Sequence, residues 1–345
     1  MRIVFRVEGE PRIGLGHIMR CLALAQSLTN SGHYVCFLMS KSSQSFCQNR
    51  VDWVGDILPM DIINPPNEAS WVQQQCVELQ ADWLVLDGYQ FTEGYRRALV
   101  SRHYHLAVFD DINNSGNLFA DLVINGVSNG LALNYQATAP QAHLAVGRRY
   151  QVLRQEFFRL SDRSWSRRRS LTLMFGGSDT HNMTLSVLDA LAKSHVSIPI
   201  SVITGAAYSH LNELSEFIAS SDLTVTHHHD CQNMAEELVN SRLALSAAGG
   251  SQFELLACAT PAILLVVADN QKFASEEAKK QGWCQVLNYQ EQTSEQLVKH
   301  CLALWGDVDT LFSMHQHAMK QAVIDGAKAV GERMSKIASS TESNL

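Results

Sequence analysis

Residues 13–20 read IGLGHIMR, so Gly14 and Gly16 lead directly to His17 and, one turn on, to Arg20. A short apolar strand (3–7) precedes this loop and an apolar-periodic helix follows it. Glycines let a ligand approach the backbone, and a helix start offers an anion free N–H groups and a positive dipole end. A histidine at that mouth has the ordinary titration range to handle a proton near neutral pH. It can equally be an N-terminal helix residue making a local hydrogen bond, and Arg20 faces either a ligand or the surface. Met19 stands where a dinucleotide fingerprint needs its third glycine, which argues against NAD.

A second constellation, SAAGGSQFELL (246–256), puts Gly249, Gly250 and Ser251 at a strand-to-helix turn suited to a phosphate. Glu254, one turn into that helix, either complements the dipole or bonds the paired hydroxyls of a ribose. FGGSD (175–179) is a third glycine pair, which capping of the next helix by Ser178 or Asp179 explains. His227, His228 and His229 alternate direction in extended chain, so no metal site is expected of them. Asp87-Gly88-Tyr89 and Asp110-Asp111 end apolar strands, where carboxylates serve either a turn or a ligand. Asn270 and Gln271 follow another apolar strand and offer amides to sugar hydroxyls.

Apolar runs of strand length alternate with helical patterns: RIVFRV, YVCFLM, WLVLD, LAVFD and DLVIN, then LTLMF, ISVITG, LTVTH, LALSAAGG and AILLVV. Such alternation predicts parallel sheets with helices on both faces. The polar stretch SDRSWSRRRS (161–170) breaks the periodicity and separates the two series. The expectation is an α/β protein of two Rossmann-like domains facing a cleft, residues 1–160 with GxGH and 161–345 with GGS. Open α/β sheets bind ligands at the carboxyl ends of their strands. Residues 318–335 read as one long final helix, placed to pack back on the first domain.

The bulk properties agree. A chain of 345 residues, 46% of them hydrophobic, suits two cores. With a formal net charge of -7 and no long basic run, nucleic-acid binding is not expected. The Arg167, Arg168 and Arg169 cluster reads as a linker flank. Eight cysteines without a CxxC pair read as reduced, mostly buried thiols. The apolar start is too short for a signal peptide and AILLVVA (262–268) too short for a membrane span. A soluble, cytoplasmic protein without an obligate protein partner is expected.

FRVEGEPRIGLGHIMRCLALA, LVLDGYQF, VFDDI, ADLVIN, GRRYQVLRQEF, FGGSD, SAAGGSQFELL and ADNQ, in that order, resemble the UDP-2,4-diacetamido-2,4,6-trideoxy-β-L-altropyranose hydrolases of pseudaminic acid biosynthesis. The match runs from the first strand to about Gln271. It implies a glycosyltransferase-B-like fold, similar to the lipid II-forming N-acetylglucosaminyltransferase, with His17 as the catalytic residue. It implies that Gly249, Gly250, Ser251 and Glu254 surround UDP, that Asn270 and Gln271 face the sugar or diphosphate, and that Asp87 and Tyr89 lie near the sugar. The family's Arg-x-Asp on the first strand becomes Arg6-Val7-Glu8 here, its D-H-Y becomes Asp87-Gly88-Tyr89, and its Trp before the ribose-binding Glu becomes Phe253.

The implied reaction is hydrolysis of a UDP-sugar at its anomeric C–O bond with inversion, needing water but no metal or cofactor. A transferase of the same fold, or a nucleotide-sugar-binding protein without catalysis, are the alternatives.

Overall fold

A computed structural model of the chain describes residues 1–9, 15–48, 50–61, 65–160 and 162–342. Gly14 and the first residue of the expected linker, Ser161, lie outside the described residues. The chain divides into two compact units, one of His17–Gln155 with the first strand and the segment from Val323 onward, the other of Glu156–Ala322 with Leu15 and Gly16.

In the first unit, the strands are β1 (Arg2–Val7), β2 (Tyr34–Ser40), β3 (Asp56–Met60), β4 (Trp83–Asp87), β5 (His105–Phe109), β6 (Leu122–Asn125) and β7 (His143–Val146). They pair in parallel in the order β3-β2-β1-β4-β5-β6-β7. In the second unit, β8 (Ser170–Met174), β9 (Ile200–Thr204), β10 (Val225–His229), β11 (Ser241–Ala247), β12 (Ala262–Val266) and β13 (Cys284–Asn288) pair as β10-β9-β8-β11-β12-β13. Each sheet starts in the middle, grows outward for three strands, and then resumes on the other side of its first strand. The loops behind β1 and β4, and behind β8 and β11, therefore part at a topological switch point, where such sheets bind ligands.

The period of two along β1 separates the faces of the first sheet. Ile3, Phe5 and Val7 pack with Ile18, Cys21, Leu24, Ala25 and Leu28 of the helix Gly16–Asn30. Val4 packs on the other face with Val72 and Cys76 of the helix Pro65–Glu78. Beside it, β4 alternates likewise: Trp83 and Val85 join the first cluster, Leu84 and Leu86 the second. In register, Val7 lies opposite Asp87.

Two differences from the sequence reading have physical causes. The single final helix expected over 318–335 is two helices, Val308–Gln321 and Gly326–Glu342. A side chain at Gly326 would collide with the backbone of Gln151, so the second helix starts where its backbone touches another directly. Val330, Met334 and Ile337 of that helix then enter the first unit's core. Secondly, Arg168 of the basic cluster is buried rather than flanking a linker in solvent, and its Nη1 donates to the Ser241 carbonyl at 2.8 Å and its Nη2 to that of Cys258 at 2.6 Å. No described helix is long and apolar enough to cross a membrane.

Candidate active site

The helix Gly16–Asn30 begins at the switch point of the first sheet, and its first turn carries His17. Because Asp87 falls on the same face of β4 as Val85, it points toward this helix. His17 Nδ1 and Asp87 Oδ1 lie 2.7 Å apart. A carboxylate can only accept here, so Nδ1 carries the proton and Nε2 is the nitrogen able to take one. Arg20, one turn further, donates from Nε to Asp87 Oδ2 at 2.8 Å and from Nη2 to Oδ1 at 2.7 Å. Its remaining Nη1 donates to Asp111 Oδ1 at 2.7 Å, behind β5. Tyr89 donates its hydroxyl to Asp111 Oδ2 at 2.5 Å and sets its ring edge-on to His17, with centroids 4.9 Å apart.

The electrostatics follow from these contacts. Burial alone would raise the Asp87 carboxyl, but the Arg20 guanidinium and His17 beside it hold it at about 2. Asp111 is likewise held below the usual carboxylate range: burial opposes this, and Arg20 outweighs it. Burial would lower Arg20, but Asp111 and Asp87 keep it firmly charged. The Cys21 thiol, 3.8 Å from Asp87 Oδ2, is pushed well up by burial and by that carboxylate, so it stays protonated.

Other nominated residues fall elsewhere. Arg6 points to the opposite face of the first sheet, where it pairs with Glu68 at 2.7 Å and Glu8 at 2.6 Å. Glu8 also accepts from the Ser40 hydroxyl at 2.6 Å and from the Ser43 hydroxyl. This network ties the end of β1 to β2 and to the helix Pro65–Glu78, away from the face that carries Asp87. Asp87, for its part, is 1% exposed: it holds His17 and Arg20 instead of facing the exterior. Tyr89 is 57% exposed and is the more accessible of the pair. Gly88 between them has φ +152°, a conformation that disfavours the histidine the family carries there.

In the second unit, β11 and β12 are neighbours, so the loops behind them adjoin. Gly249 and Gly250 precede the helix Ser251–Ala257, whose first turn holds Glu254. Asn270 and Gln271 lie in the turn Asp269–Gln271 behind β12. A side chain at Gly249 would come within 3.9 Å of the Gln271 amide, and one at Gly250 would meet nothing within 4 Å. Gln271 itself is fixed by accepting from the Val267 N–H at 2.9 Å. The structure therefore places Gly249 beside the 270–271 turn, with Gly250, Ser251 and Glu254 following it into the helix.

The third glycine pair behaves differently. Asp179 accepts from the N–H groups of Met183 and Thr184, each at 2.9 Å, and so closes the start of the helix Met183–Lys193 with its own carboxylate. His227 and His229 share the Thr204 hydroxyl, whereas His228 turns to Glu237 at 3.3 Å.

Asp111, which the sequence reading left open between a turn and a ligand role, is a member of the cluster. Its signal was present: β4 ends in Asp87, β5 is followed directly by Asp110-Asp111, and β5 adjoins β4.

Residues 172–330 match the family model described as the glycosyltransferase family 28 C-terminal domain. Over 281 residues the chain is 23% identical to an uncharacterized protein of Methanocaldococcus jannaschii, covering 79% of this chain but 57% of that longer relative. It is 22% identical over 284 residues to the UDP-2,4-diacetamido-2,4,6-trideoxy-β-L-altropyranose hydrolase of Campylobacter jejuni, covering 81% of this chain and 97% of the relative. Among solved structures it is similar to MurG of Acinetobacter baumannii, with a TM-score of 0.65 at 16% identity over 97% of this chain and 99% of that one. The chain thus has a glycosyltransferase-B-like α/β fold of two Rossmann-like units, the second matching the family 28 C-terminal domain, and it resembles the UDP-2,4-diacetamido-2,4,6-trideoxy-β-L-altropyranose hydrolases.

Proposed function

We propose that the protein hydrolyses UDP-2,4-diacetamido-2,4,6-trideoxy-β-L-altropyranose, or a close relative of that sugar nucleotide, at the anomeric C–O bond. The observation that carries this reading is the His17–Asp87 pair at 2.7 Å, at the switch point of the first sheet. With Nδ1 bound to the carboxylate, Nε2 takes a proton from water as its oxygen attacks the anomeric carbon from the face opposite UDP. The C–O bond breaks, its electron pair leaves with the diphosphate, and the sugar is released with inverted configuration. Asp87 orients the imidazole and stabilises the imidazolium that forms, the division of labour in carboxylate–histidine catalysis.

The nucleotide is assigned to the second unit. Gly249, Gly250 and Ser251 receive the diphosphate through backbone N–H groups, and Glu254 bonds the ribose hydroxyls. Asn270 and Gln271 face the sugar or diphosphate. The family 28 match, which includes all six residues, supports this assignment.

A transferase is the second reading, favoured by that same match; His17 would then deprotonate an acceptor hydroxyl in place of water. His17→Ala tests the proposal: with the sugar nucleotide and no acceptor, release of UDP and free sugar should fall at least about 10²-fold while UDP binding is retained. Equal loss of both would contradict the role of His17. Wild-type protein that binds the substrate yet releases nothing until an acceptor is added would favour the transferase.

A further inference from the structure

We propose that Asp111 is a positioning residue that balances the charge of Arg20, so that the Asp87 carboxylate remains available to the protonated form of His17. The proposal rests on reading His17 as the base. Arg20 grips both oxygens of Asp87, and a guanidinium so placed cancels most of what that carboxylate offers an imidazolium. Asp111 supplies the second carboxylate, at 2.7 Å on the third arm of the same guanidinium. Two carboxylates and one guanidinium leave the cluster with one net negative charge while His17 is neutral. It becomes neutral when His17 takes a proton. Without Asp111, protonation would instead leave a net positive charge in a buried place, which is costly.

Among the described residues, the groups around His17 come from the ends of β4 and β5 and from its own helix. Asp87 comes from β4, Tyr89 from the loop behind it, Arg20 and Cys21 from the histidine's own helix, and Asp111 through Arg20 from the loop behind β5. That last loop is built to hold its carboxylate still. The Asp111 carbonyl accepts from the Asn125 amide at 3.2 Å, and the same amide donates to the Tyr135 hydroxyl at 2.8 Å. Tyr135 donates in turn to Asp110 at 2.7 Å, and the Asn113 N–H caps the same Asp110 oxygen at 2.7 Å. A carboxylate that merely adorned the surface would have no such scaffold behind it.

The test is an NMR titration of the His17 imidazole in the full, ligand-free chain, with its signal assigned by a His17→Gln variant. Asp111→Asn should lower the titration midpoint by about one pH unit. Asp111→Glu should restore most of that shift. Tyr89→Phe, which removes a hydrogen bond without a charge, should move it by less than about a third as much. A midpoint unmoved in folded Asp111→Asn overturns the proposal. Should that variant not fold, Arg20→Gln reads the same balance from the other side: the midpoint should rise by a similar amount, and one that stays overturns the proposal. No substrate is involved, so failure of the hydrolase reading and failure of this one are separately visible.

Discussion

Replacing Asp87 by asparagine keeps the shape of the site and removes its logic. The carboxylate accepts from three nitrogen donors, with Oδ1 taking His17 Nδ1 and Arg20 Nη2 and Oδ2 taking Arg20 Nε. An amide has one oxygen. If that oxygen serves His17, its NH2 faces the Arg20 Nε–H, donor against donor. If the oxygen serves Arg20 Nε, the NH2 faces His17 Nδ1 and forces the proton onto Nε2, which can then no longer accept one from water. Either orientation loses at least one charge-assisted bond, about 1.5–3 kcal/mol. That corresponds to roughly 10–150-fold in rate. The tautomer conflict adds to it, so kcat for Asp87→Asn should fall by about 10²–10³-fold, with KM within about threefold. Steady-state UDP release in the absence of acceptor reads both numbers, and a circular-dichroism melt confirms folding. A folded Asp87→Asn protein with kcat within about threefold of wild type would refute the orientation argument.

Three further outcomes follow from the same structure. Because the folded-state Asp87 carboxyl is depressed to about 2, its ionised form stabilises the fold above the ordinary carboxylate range, and that contribution, about 2 kcal/mol, is lost as the pH falls from about 4 toward 2; denaturant unfolding across that window should show a loss larger by about that amount in wild type than in Asp87→Asn. Arg168→Ala leaves the buried carbonyls of Ser241 and Cys258 without their donor, and should lower the unfolding free energy by about 3–5 kcal/mol, read by chemical denaturation. Gly250→Ala meets open space and a helical backbone at φ -55°, so stability should change by less than about 1 kcal/mol. UDP affinity, read by calorimetry, should nonetheless fall about tenfold or more if the diphosphate sits on that backbone.

The interior strands were legible because a strand buried on both faces must be largely apolar, as WLVL (83–86) and AILLV (262–266) are. The strands that escaped the reading, β3, β7 and β13, all lie at sheet edges. There one side is open, so the pattern thins: β3 tolerates Pro59, which an inner strand could not, and most of β13 is only partly buried. In the site, His17 was visible because glycine loop and histidine are adjacent in sequence. Its partnership with Asp87, and Arg20's with Asp111, depend on strands 1, 4 and 5 being neighbours, which no local spacing encodes. Arg6 and Glu8 show the converse: the resemblance alone singled them out, and the alternation of β1 turned Arg6 to the other face.

In the proposed hydrolysis, water attacks the anomeric carbon and His17 takes its proton. The most direct measurement is a single turnover of the UDP-diacetamido-trideoxy-altrose in ¹⁸O-labelled water without acceptor, with mass spectrometry of both products. The account predicts the label in the free sugar, and none in UDP, with the reaction abolished in His17→Ala. Label in the UDP phosphate would place the cleavage at the P–O bond and contradict the account.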